Sequence, residues 1–276
     1  MIDNILFPVD FSQSCIAISP FVKRAASMFQ SRVSLLYVCD LVSHNGFELY
    51  VRSLQEIGEE HWNVARRRLD SFLEPDFPAS GCPRILRSGD TAEQIATVAR
   101  NDGFDLIIMP THAGRFRRML LGSTAAKILN DVDCPVLTTE HAEVIVPRPL
   151  EHREWLCAIA IDADSERVLD LANRGASAVG AKLSLIHVLH NFDSAKLDCA
   201  EEEKARRRIA ELQQSVGSNA MLHIVRGAVK DALLAAARQS SADVLIVGRP
   251  KSESFGRLRD VTYGVIRDAI CPVLSV

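Results

Sequence analysis

A segment from the middle of the chain comes back near its end. Asp105-Leu-Ile-Ile-Met-Pro runs into a loop that finishes at Gly122-Ser123-Thr124, and Asp243-Val-Leu-Ile-Val-Gly runs into a loop that finishes at Val261-Thr262. Both segments close on Cys-Pro-Val-Leu, once from Cys134 and once from Cys271. A chain that repeats itself over a long period is built from copies of one structural unit, and 276 residues accommodate two units of ordinary domain size. The repeat divides the chain into residues 1–140 and 154–276. Residues 141–153, which carry Pro147, Pro149 and several charges, read as an exposed linker.

Within each unit, apolar runs alternate with segments of helical spacing. The first half reads as strand Ile5–Val9, helix Cys15–Met28, strand Val33–Val38, helix Leu49–Phe72 and strand Arg84–Arg87. A helix capped by Thr91 and running to Arg100, strand Asp105–Met109, helix Ser123–Asn130 and strand Pro135–Thr139 complete it. The second half repeats the order, from strand Leu156–Ile161 to strand Pro272–Val276. Its strands, like those of the first half, are near-continuous in Ile, Leu and Val, the pattern of strands buried on both faces. The expected fold is therefore α/β: two tandem five-stranded parallel sheets, Rossmann-like, with helices on both faces. The stretch from Val38 to Gly89 is longer than its counterpart from Val188 to Gly227. The extra residues are expected at Leu41–Gly58, just after the second strand, as a lid or as a decorated surface loop.

Composition narrows the function. The chain is 47% hydrophobic and 24% charged, with a formal charge of −3, an ordinary balance for a globular protein and not that of a nucleic-acid or membrane binder. Asp10 arrives too soon after the N-terminus for a signal segment. Seven cysteines form no Cys-x-x-Cys pair and read as reduced thiols, which points to a cytoplasmic location. Arg66–Arg68 and Arg206–Arg208 each follow acidic residues on a helix, as on a solvated face. Trp62 and Trp155 read as packing residues.

The segment from Pro110 to Thr124 resembles the phosphate-binding loop of the universal stress proteins, Gly-x-x-Gly, nine residues, then Gly-Ser or Gly-Thr. The resemblance covers the whole chain as a tandem pair. It implies a sheet order of 3-2-1-4-5 in each unit, and ATP, with or without Mg²⁺, as the ligand of many members. The positions that match are Asp10 after strand one, Val38 on strand two, Pro110 and Ala113 for the two leading glycines, and Gly122-Ser123 at the loop's end. By that resemblance Asp10 and Val38 hold the ribose and adenine, and Gly114, Gly122, Ser123 and Thr124 surround the phosphates. The physics agrees, because a helix N-terminus offers unpaired N–H groups and partial positive charge to an anion. Arg115, Arg117 and Arg118 add a positive field. Asp10 has the alternative of capping the turn that follows strand one. At the loop the chain has Ala113 where the pattern has Gly, and eight residues, 114–121, before Gly122; Gly114 can supply the left-handed backbone instead. His112 reads as a ligand contact and not as a catalyst, since no acid or nucleophile accompanies it in sequence.

In the second half Gly248 and Thr262 match the pattern, but Lys251 and Val261 stand on two of its glycines, and the site reads as degenerate for ATP. Asp162 is paired with Asp10. The resemblance also implies that the last strands, Val136–Thr139 and Val273–Val276, pair within the chain as an intramolecular pseudo-dimer, with a homodimer as a further possibility. The leading expectation is an adenine-nucleotide-binding regulatory protein of the stress response that acts on an unknown protein partner. The alternatives are a nucleotide-free interaction scaffold and a slow ATPase.

Overall fold

The computed structural model describes residues 2–39, 51–111, 122–139, 153–189, 195–249 and 257–276, the side chains of 51–57, 195–198 and 257–260 excepted. Nine elements form the first half: β1 (Asn4–Pro8), α1 (Gln13–Phe29), β2 (Arg32–Cys39), α2 (Val51–Ser71), β3 (Arg84–Ser88), α3 (Thr91–Asn101), β4 (Leu106–Pro110), α4 (Ser123–Asp131) and β5 (Val136–Thr139). The second half follows in the same order with β6 (Glu154–Ala158), α5 (Ser165–Val179), β7 (Lys182–Leu189), α6 (Ala195–Val216), β8 (Met221–Arg226), α7 (Val229–Gln239), β9 (Val244–Val247), α8 (Arg257–Asp268) and β10 (Val273–Ser275).

The strands make one ten-stranded sheet in the order β3-β2-β1-β4-β5-β10-β9-β6-β7-β8, so each half has the 3-2-1-4-5 order. Every pairing inside a half is parallel. The seam between halves is antiparallel, with Val136 opposite Ser275, Leu137 opposite Leu274 and Thr138 opposite Val273. The Thr138 hydroxyl donates to Val273 O (3.2 Å) and the Ser275 hydroxyl donates to Val136 O (3.1 Å), so both buried seam hydroxyls are satisfied by the opposite strand. Alternate residues of each strand enter one of two apolar layers. Ile5, Phe7, Trp155 and Cys157 lie with α1, α2 and α5 on one face, and Leu6, Leu36, Leu156 and Ile186 with α3, α4 and α7 on the other. Each layer runs through both halves.

The seam is reinforced from one side. The Arg249 guanidinium donates to Leu129 O (3.1 Å) and Cys134 O (2.6 Å), and the Tyr263 hydroxyl meets Ala126 O (3.2 Å) and Asn130 Oδ1 (2.7 Å). Helix carbonyls near a C-terminus have no intrahelical donor, and here Arg249 of the second half supplies one for Leu129 O in the last turn of α4. Burial lowers the pKa of Arg249 to about 10, so it remains charged at neutral pH.

The extra length of the first half is distributed differently from the expectation at Leu41–Gly58. Residues 40–50, outside the described residues, separate β2 from α2, whereas 190–194 separate β7 from α6. A second share lies at the other end of α2, where 72–83 precede β3 and only 217–220 precede β8. This second lobe is folded onto the core. Phe77 is buried with its ring edge toward Phe7 at 6.3 Å, and Arg84 donates to Phe72 O (3.2 Å) and Phe77 O (2.5 Å).

Candidate functional site

The sheet order reverses between β1 and β4, and in open α/β sheets the ligand crevice lies at the strand carboxyl ends beside that point. Asp10 leaves β1 there, just after Val9 N–H extends the ladder to Leu36 O (2.8 Å). Its Oδ1 accepts from the Ser12 N–H (2.9 Å) and from the Cys15 thiol (3.1 Å). The turn-holding role is thus real, and it occupies one carboxylate oxygen. Burial, with the Asp10 charge as a smaller cause, pushes the Cys15 thiol up to about 12, which keeps it a donor and not a nucleophile. Val38 lies buried on β2.

Pro110 ends β4 half-buried, and Thr111 continues with its N–H on Thr139 O (3.2 Å). The loop residues His112, Ala113, Gly114 and Arg115, with Arg117 and Arg118, lie outside the described residues. The chain is described again at Gly122, whose N–H donates to Thr111 O (3.4 Å), so the two ends of the loop touch. Gly122 is the N-cap of α4, at φ −59 and ψ 144, with no side-chain cap. The first intrahelical bond is Ala126 N–H to Gly122 O (2.9 Å), which leaves Ser123, Thr124 and Ala125 without an intrahelical acceptor. A Cβ on Gly122 would meet only Thr111 O, at 3.6 Å, an ordinary contact. Among the described residues nothing else stands against that position. Ser123 is exposed and Thr124 half-buried.

Helix α4 is fixed near this end by Lys127, which donates to Asp90 Oδ2 at 3.0 Å. Asp90, not the expected Thr91, is the N-cap of α3. Its Oδ1 accepts from Ala92 N–H and Glu93 N–H, and Thr91 is the first helical residue. The Glu93 N–H, followed by Lys127, holds the Asp90 carboxyl below its usual range.

The second half departs at each corresponding step. Ile159 N–H donates to Ile186 O (2.9 Å) as Val9 does to Leu36, which puts Ala160 in the place of Asp10. Asp162 stands two residues further on and accepts at Oδ1 from Asp164 N–H (3.1 Å). Pairing Asp162 with Asp10 by sequence is therefore out of strand register. Helix α8 begins at Arg257, so Val261 and Thr262 fall in its second turn, where backbone N–H groups are used inside the helix. The Thr262 hydroxyl donates to Gly248 O (3.5 Å). Lys251 lies outside the described residues. Arg249 takes the place of Thr111, with its N–H on Val276 O (2.7 Å). Sequence reading passed over Arg249 and Tyr263. Lining up the ends of the two ladders, where Arg249 faces Thr111, was the available signal.

Among the described residues no group of three or more His, Cys, Asp or Glu is placed to hold a metal ion, and no helix is long and apolar enough to cross a membrane. All seven cysteines are free thiols.

The model of the universal stress protein family matches residues 1–139 and again 154–276. A universal stress protein of Methanothermobacter thermautotrophicus is 28% identical over 112 residues, covering 39% of this chain and 75% of its own length. The crystal structure of a universal stress protein from Archaeoglobus fulgidus superposes with a TM-score of 0.69 at 19% identity, covering 100% of this chain and 96% of the other. A universal stress protein solved in complex with cAMP covers 46% of this chain and 97% of its own, at 26% identity and a TM-score of 0.39.

Proposed function

The chain belongs to the universal stress protein family, and from that premise we propose that it is a regulatory nucleotide-binding protein holding ATP, with or without Mg²⁺, in its first half. In this reading Asp10 meets the ribose with its remaining carboxylate oxygen, and the buried β2 edge at Val38 meets the adenine. The opening turn of α4 takes the phosphates on the N–H groups of Ser123 and Thr124, and Pro110, His112, Ala113, Gly114 and Arg115 are assigned to the same ligand by the family resemblance of their sequence. One observation carries the reading. α4 opens on a glycine beside which the described residues leave room for a Cβ, and behind it stand three N–H groups without an intrahelical acceptor. A close-approaching anion explains both.

The chemistry is binding and positioning. Asp10 Oδ1 is committed to its turn, its other oxygen is left for the ribose, and the nearest thiol is held protonated and does not serve as a nucleophile. Occupancy then acts as the signal to a protein partner, in the cytoplasm. The test is calorimetry of the full chain with ATP in the presence and absence of Mg²⁺, beside Gly122→Val. Wild type is expected to bind, and the variant to bind at least about tenfold more weakly, a loss of about 1.4 kcal/mol, with an unchanged melting temperature. Silence of the wild type at millimolar ATP removes the proposal. Phosphate release by the wild type above that of Gly122→Val would convert it to a slow ATPase.

A further inference from the structure

The two halves fill the space beside their second strands differently. In the first half Phe11 lies 4.4 Å from Tyr37 and 5.1 Å from Phe72 between ring centroids, and the Arg68 guanidinium sits 4.3 Å over the Phe11 ring. These rings plug the gap between the end of β1 and helix α2. Strand register puts His187 at the place of Tyr37 and Ile161 at that of Phe11. The buried pairs Ala65/Leu69 and Ala205/Ile209 align α2 with α6 and put Leu212 at the place of Phe72. Two benzene rings have become aliphatic side chains and the phenol an imidazole. Ile161 is left 42% exposed, and Arg208 turns to Glu211 (2.8 Å).

Ile161 and His187 line one side of a cavity of about 980 Å³ that reaches round the carboxyl ends of β6, β7 and β9, with Ile186, Val188, Leu233 and Val265 from the layer on the other face among its walls. Its size is at the upper end of small-molecule sites, and its lining is mostly apolar, as theirs is. The polar groups on its walls are specific in what they ask for. His187 Nδ1 is 2.7 Å from Ile159 O, and because a carbonyl only accepts, Nδ1 carries a hydrogen in that contact. Glu201 has one carboxylate oxygen, Oε2, buried with no hydrogen-bond partner. That oxygen lacks a donor. Among the described residues no cation forms an ion pair with Glu201: Lys204 and Arg207 line the cavity and are exposed, Arg208 pairs with Glu211, and the Arg249 guanidinium is taken by Leu129 and Cys134. Among the described residues Val261 and Thr262 lie within α8, with their backbone N–H groups inside the helix and not open to a phosphate.

We propose that this cavity is a second binding site, for an aromatic small molecule carrying a protonated amine. The ring lies beside Ile161 and His187, at the places of Phe11 and Tyr37 in the first half, and the nitrogen lies against the Glu201 carboxylate. A cation there compensates the whole carboxylate, because the charge is shared by its two oxygens. The site is independent of ATP binding in the first half.

The experiment is calorimetry of the full chain with three probes of one shape, 4-phenylbutylamine, 4-phenylbutanol and 4-phenylbutyrate. The amine is expected to bind tightest and the carboxylate weakest. Glu201→Gln, which keeps the side-chain shape, is expected to weaken the amine about tenfold and leave the alcohol within about twofold. The double variant Ile161→Phe/His187→Tyr, which rebuilds the plug, is expected to abolish binding of all three while circular dichroism shows the fold intact. Gly122→Val is expected to change none of them, so failure here is separable from failure of the nucleotide reading. Absence of amine binding, equal affinity for amine and carboxylate, an unaffected Glu201→Gln, or ATP competing with the amine in the Gly122→Val background would each overturn the proposal.

Discussion

Thr111 and Arg249 stand at the same step of the two halves, just past β4 and β9, Thr111 donating its N–H to Thr139 O and Arg249 its N–H to Val276 O. Thr111 turns its hydroxyl back onto Thr139 O (3.4 Å) and stays within its own half. Arg249 crosses the seam and holds the far end of α4, the helix whose near end carries the candidate phosphate site. A shared backbone therefore supports opposite assignments: one copy keeps its last helix free at the N-terminus, and the other spends its side chains stabilising that helix.

The largest effect expected from this difference is at Arg249. Arg249→Ala removes two charge-assisted bonds to carbonyls near the seam and should cost about 2 to 4 kcal/mol, whereas Thr111→Ala should cost about 1 kcal/mol or less. Urea unfolding followed by fluorescence separates the halves, because Trp62 lies in the first and Trp155 in the second. Arg249→Ala should lower both transitions; a shift confined to the Trp155 signal would mean that the bond across the seam does not support α4. Next comes Gly175, where a Cβ would lie 2.9 Å from the Trp155 ring, while the first half has Ala25 and Ile5 at the same places. Gly175→Ala should destabilise by about 1 to 3 kcal/mol, and the double variant with Trp155→Ile should recover most of it. A melting-temperature series tests this, and failure of rescue would break the equivalence of the two packing pairs. A smaller effect of opposite sign is expected at the C-cap of α1, where Gln30 has φ +56 and its counterpart Gly180 has φ +68. Gln30→Gly should stabilise by a few tenths up to about 1 kcal/mol, again by thermal melting.

The smallest effect concerns pH. Each half ties its last helix to the one before it with a lysine–aspartate pair of reversed direction, Asp90 to Lys127 and Lys230 to Asp268. Arg267 first, then Lys230, hold the Asp268 carboxyl well below the ordinary carboxylate range. A depressed carboxylate contributes stability above its unfolded pKa, near 4, and loses it as pH falls toward the folded value. Asp268→Asn should therefore be slightly less stable than wild type at pH 7, by about 1 kcal/mol or less, with the gap closing between about pH 4 and pH 2. Urea midpoints across that range provide the measurement, and a constant gap would contradict it.

The alternation of strands and helices was legible in the sequence because most strands are apolar runs and each helix keeps its period, and the sheet order was legible through the resemblance. The seam was legible through the resemblance, which marked the last strands as a pair. What escaped depended on register. The run Leu156–Ile161 looks like one strand, yet β6 spans Glu154–Ala158, and that shift moves Asp162 off the place of Asp10. Asp90 escaped as a cap because Asp and Thr stand side by side and both are good caps; only the bonds to Ala92 and Glu93 decide between them. The extra residues were assigned to one end of α2 because counting gives their number and not their place. Their share in 72–83 is held by Arg84, whose partners are backbone carbonyls with no sequence signature. The cavity escaped because it is made by side chains that are missing.

The antiparallel seam has a consequence for what substitutions can do in such a molecule. In an assembly of identical subunits, a change at a two-fold contact is imposed on both partners at once, so a bulky arginine entering the interface must be accommodated twice. Here a single connected chain lets Arg249 appear on one side and Thr111 remain on the other, and the two crevices are released from having to change together.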